Sequence, residues 1–217
     1  MYDFHNVGLT PFETMFLNVC ILSIIIFALL HSERKLGASN QIAMLVILAI
    51  FGISGRILME PLPNIQPVTV IIILAGVYYG APRAIALAGV IALFSNLLVM
   101  GHGPWTIFQV IGWGLVGLFG AITSKYILEN GELNLHRLGL IAILSAFAFD
   151  WVVSSSILLK TDPSMLMPYL INGLLFDLYH AVGNLLFVAW LASPLGEIMH
   201  RHKVEHSHKA VNDIAHN

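Results

Sequence analysis

Between residues 12 and 195 the sequence is a succession of apolar blocks, most of them about the length a bilayer demands. A helix needs about 20 predominantly apolar residues to cross the hydrocarbon core. The blocks cover residues 12–30, 41–59, 67–79, 84–100, 105–128, 137–159 and 168–195. Polar punctuation divides them, for example His31-Ser32-Glu33-Arg34-Lys35, Glu60-Pro61-Leu62-Pro63-Asn64 and Gly101-His102-Gly103-Pro104. No ten-residue alternation signals a barrel, so helices are the remaining way to satisfy the backbone in lipid. Composition agrees: 58% of the 217 residues are apolar and only 10% are charged. A soluble domain carries about 25% charged residues, and disorder requires low hydrophobicity. Both classes are excluded, and the expectation is an all-α integral membrane protein with seven spans.

The net charge of −2 gives no reason to expect nucleic-acid binding. Cys20 is the single cysteine and has no internal disulfide partner. The first block follows Asp3, with Glu13 at its start, rather than a basic segment, so it reads as a retained helix and not a cleaved signal. Lys and Arg set the expected orientation. With the N-terminus outside, Arg34, Lys35, Arg83, Lys125, Arg137, Arg201, Lys203 and Lys209 all fall on the cytoplasmic side. Only Arg56 and Lys160 fall outside, so the C-terminus is expected in the cytoplasm.

That orientation gathers the costly intramembrane polar groups into one half of the bundle. Arg56, Ser95, Asn96, Trp105, Gln109, Trp113, Asp150, Asn172, Asp177 and His180 all fall in its outer half or near the middle. Ionisable groups in a membrane normally face the bundle or a cavity and have partners. The pattern describes a pocket open to the outside and closed toward the cytoplasm. Gly173, Asp177, His180 and Asn184 form one helical stripe, read either as a pocket wall or as a polar network that fixes packing. Trp105, Gln109 and Trp113 form another, suited to a flat, partly polar ligand or, for Trp105, to an interfacial aromatic belt. Arg56 has two readings: an internal ion pair with Asp150 or Asp177, or a contact to an acidic or carbonyl group of a ligand. Gly114, Gly117 and Gly120, with Gly76 and Gly80, read as close-packing positions. The histidines near the C-terminus read as a solvated tail, and Asp177 with His180 are too few ligands for a metal site. No metalloprotease, serine-hydrolase or phosphate-loop signature is present, so the chain has no ATPase of its own.

Three segments together resemble the substrate-binding S components of energy-coupling factor (ECF) transporters. They are Gly55-Arg56 with Leu62-Pro63-Asn64-Ile65-Gln66-Pro67-Val68-Thr69, then Ser95-Asn96 with Gly103-Pro104-Trp105-Thr106 and Gln109, and finally Phe176-Asp177-Leu178-Tyr179-His180-Ala181-Val182-Gly183-Asn184. The likeness covers roughly residues 41–200 and is closest to the branch assigned to cobalamin uptake. It implies a six-helix core at 41–200, an extra N-terminal transmembrane helix with its cytoplasmic loop at 1–40, and a His-rich cytoplasmic tail at 201–217. It also implies a gate at residues 60–66, and a membrane T component with two ATPase subunits as partners. The implied ligand is cobalamin or cobinamide, or another vitamin or nucleobase-like micronutrient such as queuosine. Ligand contact or gating is then expected from Arg56, Asn64, Gln66, Asn96, Trp105, Gln109, Trp113, Asp150, Asp177 and His180, with no cofactor, metal or catalysis. The family's Ala-x-x-x-Ala docking pattern is not present as such; Ala49 and Gly52 are the nearest small residues. Two rival classes are an intramembrane hydrolase using Asp150, Asp177 and His180, and a small assembly or scaffold protein.

Overall fold

A computed structural model describes residues 39–215 and, upstream of them, Phe16 alone. The expected first span at 12–30 therefore lies outside the described residues. Among the described residues the chain is almost wholly helical. The long helices are α1 (Ser39–Leu58), α2 (Val68–Tyr79), α3 (Ala81–Ser95) and α4 (Trp105–Ile122). A short turn, α5 (Ser124–Ile127), follows, then a small hairpin of β1 (Leu128–Glu129) and β2 (Glu132–Leu133). Next come α6 (Leu135–Ser154), α7 (Leu166–Phe187) and α8 (Ser193–Ala215). Among the described residues four helical segments are long and apolar enough to cross a membrane: Ala81–Leu98, Trp105–Ile122, Leu135–Leu159 and Pro163–Val204. Ile42–Leu58 and Val68–Tyr79 are shorter apolar helices.

Helix α2 organises the bundle. Every residue from Val68 to Tyr79 is buried, as an apolar-all-round sequence requires. At 1.5 Å per residue its 12 residues span about 18 Å, well short of a bilayer core. It packs into α4 backbone to backbone: a Cβ on Gly76 would collide with the Gly117 carbonyl oxygen, and one on Gly120 with the Ile73 carbonyl oxygen. Gly76 and Gly120, two of the glycines read from the sequence as packing positions, thus let two helices approach more closely than any side chain permits, whereas a Cβ on Gly114 would meet only Ile85 at ordinary contact distance. Gly80, at φ +84°, turns the chain from α2 straight into α3.

The outer surface is inverted relative to a soluble protein. On α7, Ile171, Leu175, Leu178, Val182 and Leu186 are exposed, whereas Asp177, His180 and Asn184 are buried. The apolar face suits lipid and the polar stripe faces the bundle. Asn172, expected among the pocket groups, is exposed.

Several boundaries differ from the sequence reading. Helix α3 begins at Ala81, not after Arg83, because Pro82 sits in its first turn, where a missing N–H is harmless. The expected block 105–128 ends its helix at Ile122, and Asn130 (φ 53°) with Gly131 (φ 88°) then forms the tip of the hairpin. The C-terminal segment is helical through Ala215 rather than an irregular tail.

Candidate functional site

The polar groups inside the bundle meet at the N-terminal end of α2. The centre is Arg56, near the end of α1 and only 2% exposed. Its Nε donates to Gln66 Oε1 at 3.1 Å. Its Nη1 donates to Ser95 Oγ and, at 2.8 Å, to Asn96 Oδ1. The guanidinium lies 5.0 Å from the centre of the Trp113 ring, within cation–π range. The ion pair with Asp150 or Asp177, one of the two readings for Arg56, does not form: among the described residues Arg56 bonds only neutral partners. Asp150 instead takes His180, and Asp177 takes the indole of Trp151 at 3.1 Å.

Asn96 joins Arg56 to α4. Its Nδ2 donates to Thr106 Oγ1 at 2.9 Å and to Gln109 Oε1 at 2.8 Å. A π-helical turn, Asn96–Met100, follows α3 at this point. Such turns are frequent at functional sites. The loop Gly101–Pro104 then reverses the chain. Gly103 lies under the Trp105 ring, where any Cβ would overlap the indole. A glycine there lets Trp105 fold back toward the cavity. His102 is partly buried in the loop, and burial holds its imidazole pKa below the usual value.

A second polar line runs behind the first. Trp113 Nε1 donates to Thr69 Oγ1 at 3.2 Å, and Thr69 Oγ1 lies 2.9 Å from His180 Nε2. His180 Nδ1 lies 2.9 Å from Asp150 Oδ2. With Asp150 ionised, Nδ1–H donates to the carboxylate, and Nε2 accepts from the Thr69 hydroxyl. Asn64, in the loop between α1 and α2, reaches the other carboxylate oxygen from its Nδ2 at 3.3 Å. Asn64 holds φ +56°, a conformation that asparagine tolerates better than most residues. Its Nδ2 also lies 3.4 Å from the Phe176 carbonyl oxygen. The loop is thereby tied to α6 and α7.

A cavity of about 400 Å³ opens beside these lines. Of the ten residues expected to bind or gate a ligand, Arg56, Asn64, Gln66, Trp105, Gln109 and Trp113 line it. Asn96, Asp150, Asp177 and His180 do not; they stand behind the wall or beside it. The wall is completed by Phe149, Val153, Ser154, Ser156, Tyr169 and Phe176, which sequence reasoning missed as lining residues. Phe149 stacks on Trp113, with ring centres 4.5 Å apart. The run Ser154-Ser155-Ser156 is the signal that could have been read, since three hydroxyls interrupt an otherwise apolar block. Among the described residues no three acidic, histidine or cysteine side chains come together as a metal site.

Fold and site together define an all-α protein of membrane-spanning composition that encloses a small, mostly uncharged polar cavity around one buried arginine. Residues 36–205 match the model of a family described as "Family of unknown function (DUF6580)", and the chain belongs to that family. No curated protein and no solved structure matches it.

Proposed function

We propose that this protein is the substrate-binding S component of an ECF-type importer, with its ligand held beside Arg56. The observation that carries the reading is the convergence of the polar residues on one cavity of about 400 Å³, at the N-terminal end of α2. Ligand pockets are typically concave spaces of about 300–1,000 Å³ with a few convergent polar groups. The segment at residues 60–66 acts as the gate: Asn64 and Gln66 line the cavity and also bond Asp150 and Arg56. A T component and two ATPases supply the energy in this reading, and the pocket faces the outside of a bacterial plasma membrane.

Cobalamin or cobinamide is the ligand that the sequence resemblance favours. The cavity volume favours a smaller one. A nucleobase-like micronutrient such as queuosine is closer in size to about 400 Å³ than a whole corrin, which calls for the 60–66 loop to swing away. The chemistry of an intramembrane hydrolase gains less support. The line Thr69–His180–Asp150 has the order of a nucleophilic triad, yet Thr69 is 1% exposed and is not among the cavity-lining residues. The deciding experiment is calorimetric titration of the purified protein with cobalamin, cobinamide and queuosine, followed by uptake in cells carrying a T component and ATPases. One-to-one binding of any of the three supports the reading. Absence of binding by all three, together with peptide or lipid hydrolysis abolished by Asp177→Asn, overturns it in favour of the enzyme.

A further inference from the structure

The cavity wall has a polarity, and that polarity specifies a class of ligand. A guanidinium has five N–H donors and no acceptor. Arg56 spends three of them on Gln66, Ser95 and Asn96. Its Nη2 has no partner among the described residues. Ser95 accepts from Arg56 and passes its own hydrogen to the Ile91 carbonyl oxygen at 2.6 Å.

Each neighbouring amide is then forced into one orientation. Asn96 must turn Oδ1 to Arg56, which aims Nδ2 at Gln109. Gln109 must therefore meet Asn96 with its oxygen, and Gln66 must meet Arg56 with its oxygen. Flipping any of these amides would set donor against donor, so the usual ambiguity between amide N and O is settled by Arg56 itself. Within the Arg56 network, what remains unpaired is Nη2 of Arg56 and the Nε2 groups of Gln66 and Gln109. All three residues line the cavity, and all three remaining groups are donors. Asn64 Oδ1, from the 60–66 loop, is an acceptor on the same cavity. Among the described residues Arg56 is the only charged one on that wall. A buried cation without a counter-charge is costly, and a bound anion would offset that cost.

We propose that the ligand presents an oxyanion, a carboxylate or a phosphate, to Arg56 Nη2 and the Gln66 and Gln109 amides. Its planar ring lies against Trp105 and the edges of the Trp113–Phe149 stack. The inference rests on the reading of this cavity as a ligand site and narrows it: of the micronutrients named above cobalamin carries a phosphate, whereas cobinamide and queuosine carry no oxyanion.

Three probes sharing one ring test it: 2-naphthoate, 2-naphthyl phosphate and 2-naphthamide, titrated against the full-length protein in lipid nanodiscs. At least one anion should bind about tenfold or more tighter than the amide, the range of a charge-assisted hydrogen bond. The tighter anion distinguishes carboxylate from phosphate. Arg56→Gln should erase the discrimination. Gln109→Glu, which sets a carboxylate on the donor wall without touching Arg56, should do the same and serves if Arg56→Gln fails to fold. Binding of the amide as tight as that of both anions, no binding of any probe, or discrimination unchanged in Gln109→Glu would overturn the proposal. Titration with cobinamide and queuosine in parallel separates the two claims. A protein that binds either but ignores charge keeps the transporter reading and loses the donor wall. One that selects naphthoate over naphthamide but takes neither micronutrient keeps the donor wall and loses that substrate assignment.

Discussion

Two buried asparagines provide a controlled comparison of what the polar network contributes to stability. Asn96 is 1% exposed and Asn184 is fully buried. Asn96 makes three side-chain hydrogen bonds, one of them from a buried cation. Asn184 makes one, from Nδ2 to the Ala142 carbonyl oxygen at 3.1 Å, and its Oδ1 is buried without a partner among the described residues. Replacing each by leucine keeps the branching at Cγ, adds the same bulk at both sites and deletes different numbers of bonds. Hydrogen bonds between membrane helices are worth about 0.6 kcal/mol on average, whereas one to a charged group is worth about 1.5–3 kcal/mol. Asn96→Leu removes two of the first kind and one of the second, so it should destabilise by about 3–4 kcal/mol. Asn184→Leu removes one bond together with an unsatisfied acceptor, so it should cost under about 1 kcal/mol. Reversible unfolding in mixed detergent micelles, followed by circular dichroism, gives both values on one scale. The reasoning is wrong if Asn184→Leu proves as damaging as Asn96→Leu, or if Asn96→Leu is neutral.

Other consequences follow from the same geometry. Gly120→Ala should destabilise by about 1–3 kcal/mol, because its Cβ meets the Ile73 backbone and not a side chain that can move; the same unfolding assay measures it, and a neutral result would refute the close α2–α4 contact. Asn64→Ala removes the ties of the 60–66 loop to Asp150 and Phe176, so ligand dissociation measured by stopped-flow should accelerate about two- to tenfold. The lowered pKa of His102 keeps its imidazole neutral in the folded chain while the unfolded chain still takes up a proton near the usual pKa of about 6.5. Stability from this group is therefore full above that pH and is progressively lost as the pH falls below it. His102→Gln should flatten that part of a melting-temperature profile.

Much of this was legible in the sequence, for reasons specific to membranes. An apolar block of span length has few folds open to it, so the helices at 41–59 and 67–79, and the start of the one expected at 105–128, could be read directly. Polar residues inside such blocks are conspicuous, which is why Arg56, Gln109 and the Trp105–Trp113 stripe were found. Partner choice was not legible. One reading set Arg56 against Asp150 or Asp177 by charge and depth, but pairing depends on helix rotation. The rotation of α6 and α7 gives Asp150 to His180 and Asp177 to Trp151. Phe149, Val153 and Phe176 were also missed as cavity walls, since an apolar residue beside a cavity has the same sequence signature as one facing lipid. The hairpin at 128–133 was hidden by Tyr126, Ile127 and Leu128, which extend the apolar run past the true end of α4.

The central claim is that this cavity, and no other part of the molecule, holds the ligand. Gln109→Trp tests it most directly by projecting an indole into the cavity beside Arg56 while leaving the outer surface unchanged. Calorimetry should show one-to-one binding of a corrinoid, queuosine or the tighter naphthyl anion to the wild-type protein and none to the variant. Equal binding to both, with the variant folded, would contradict the account.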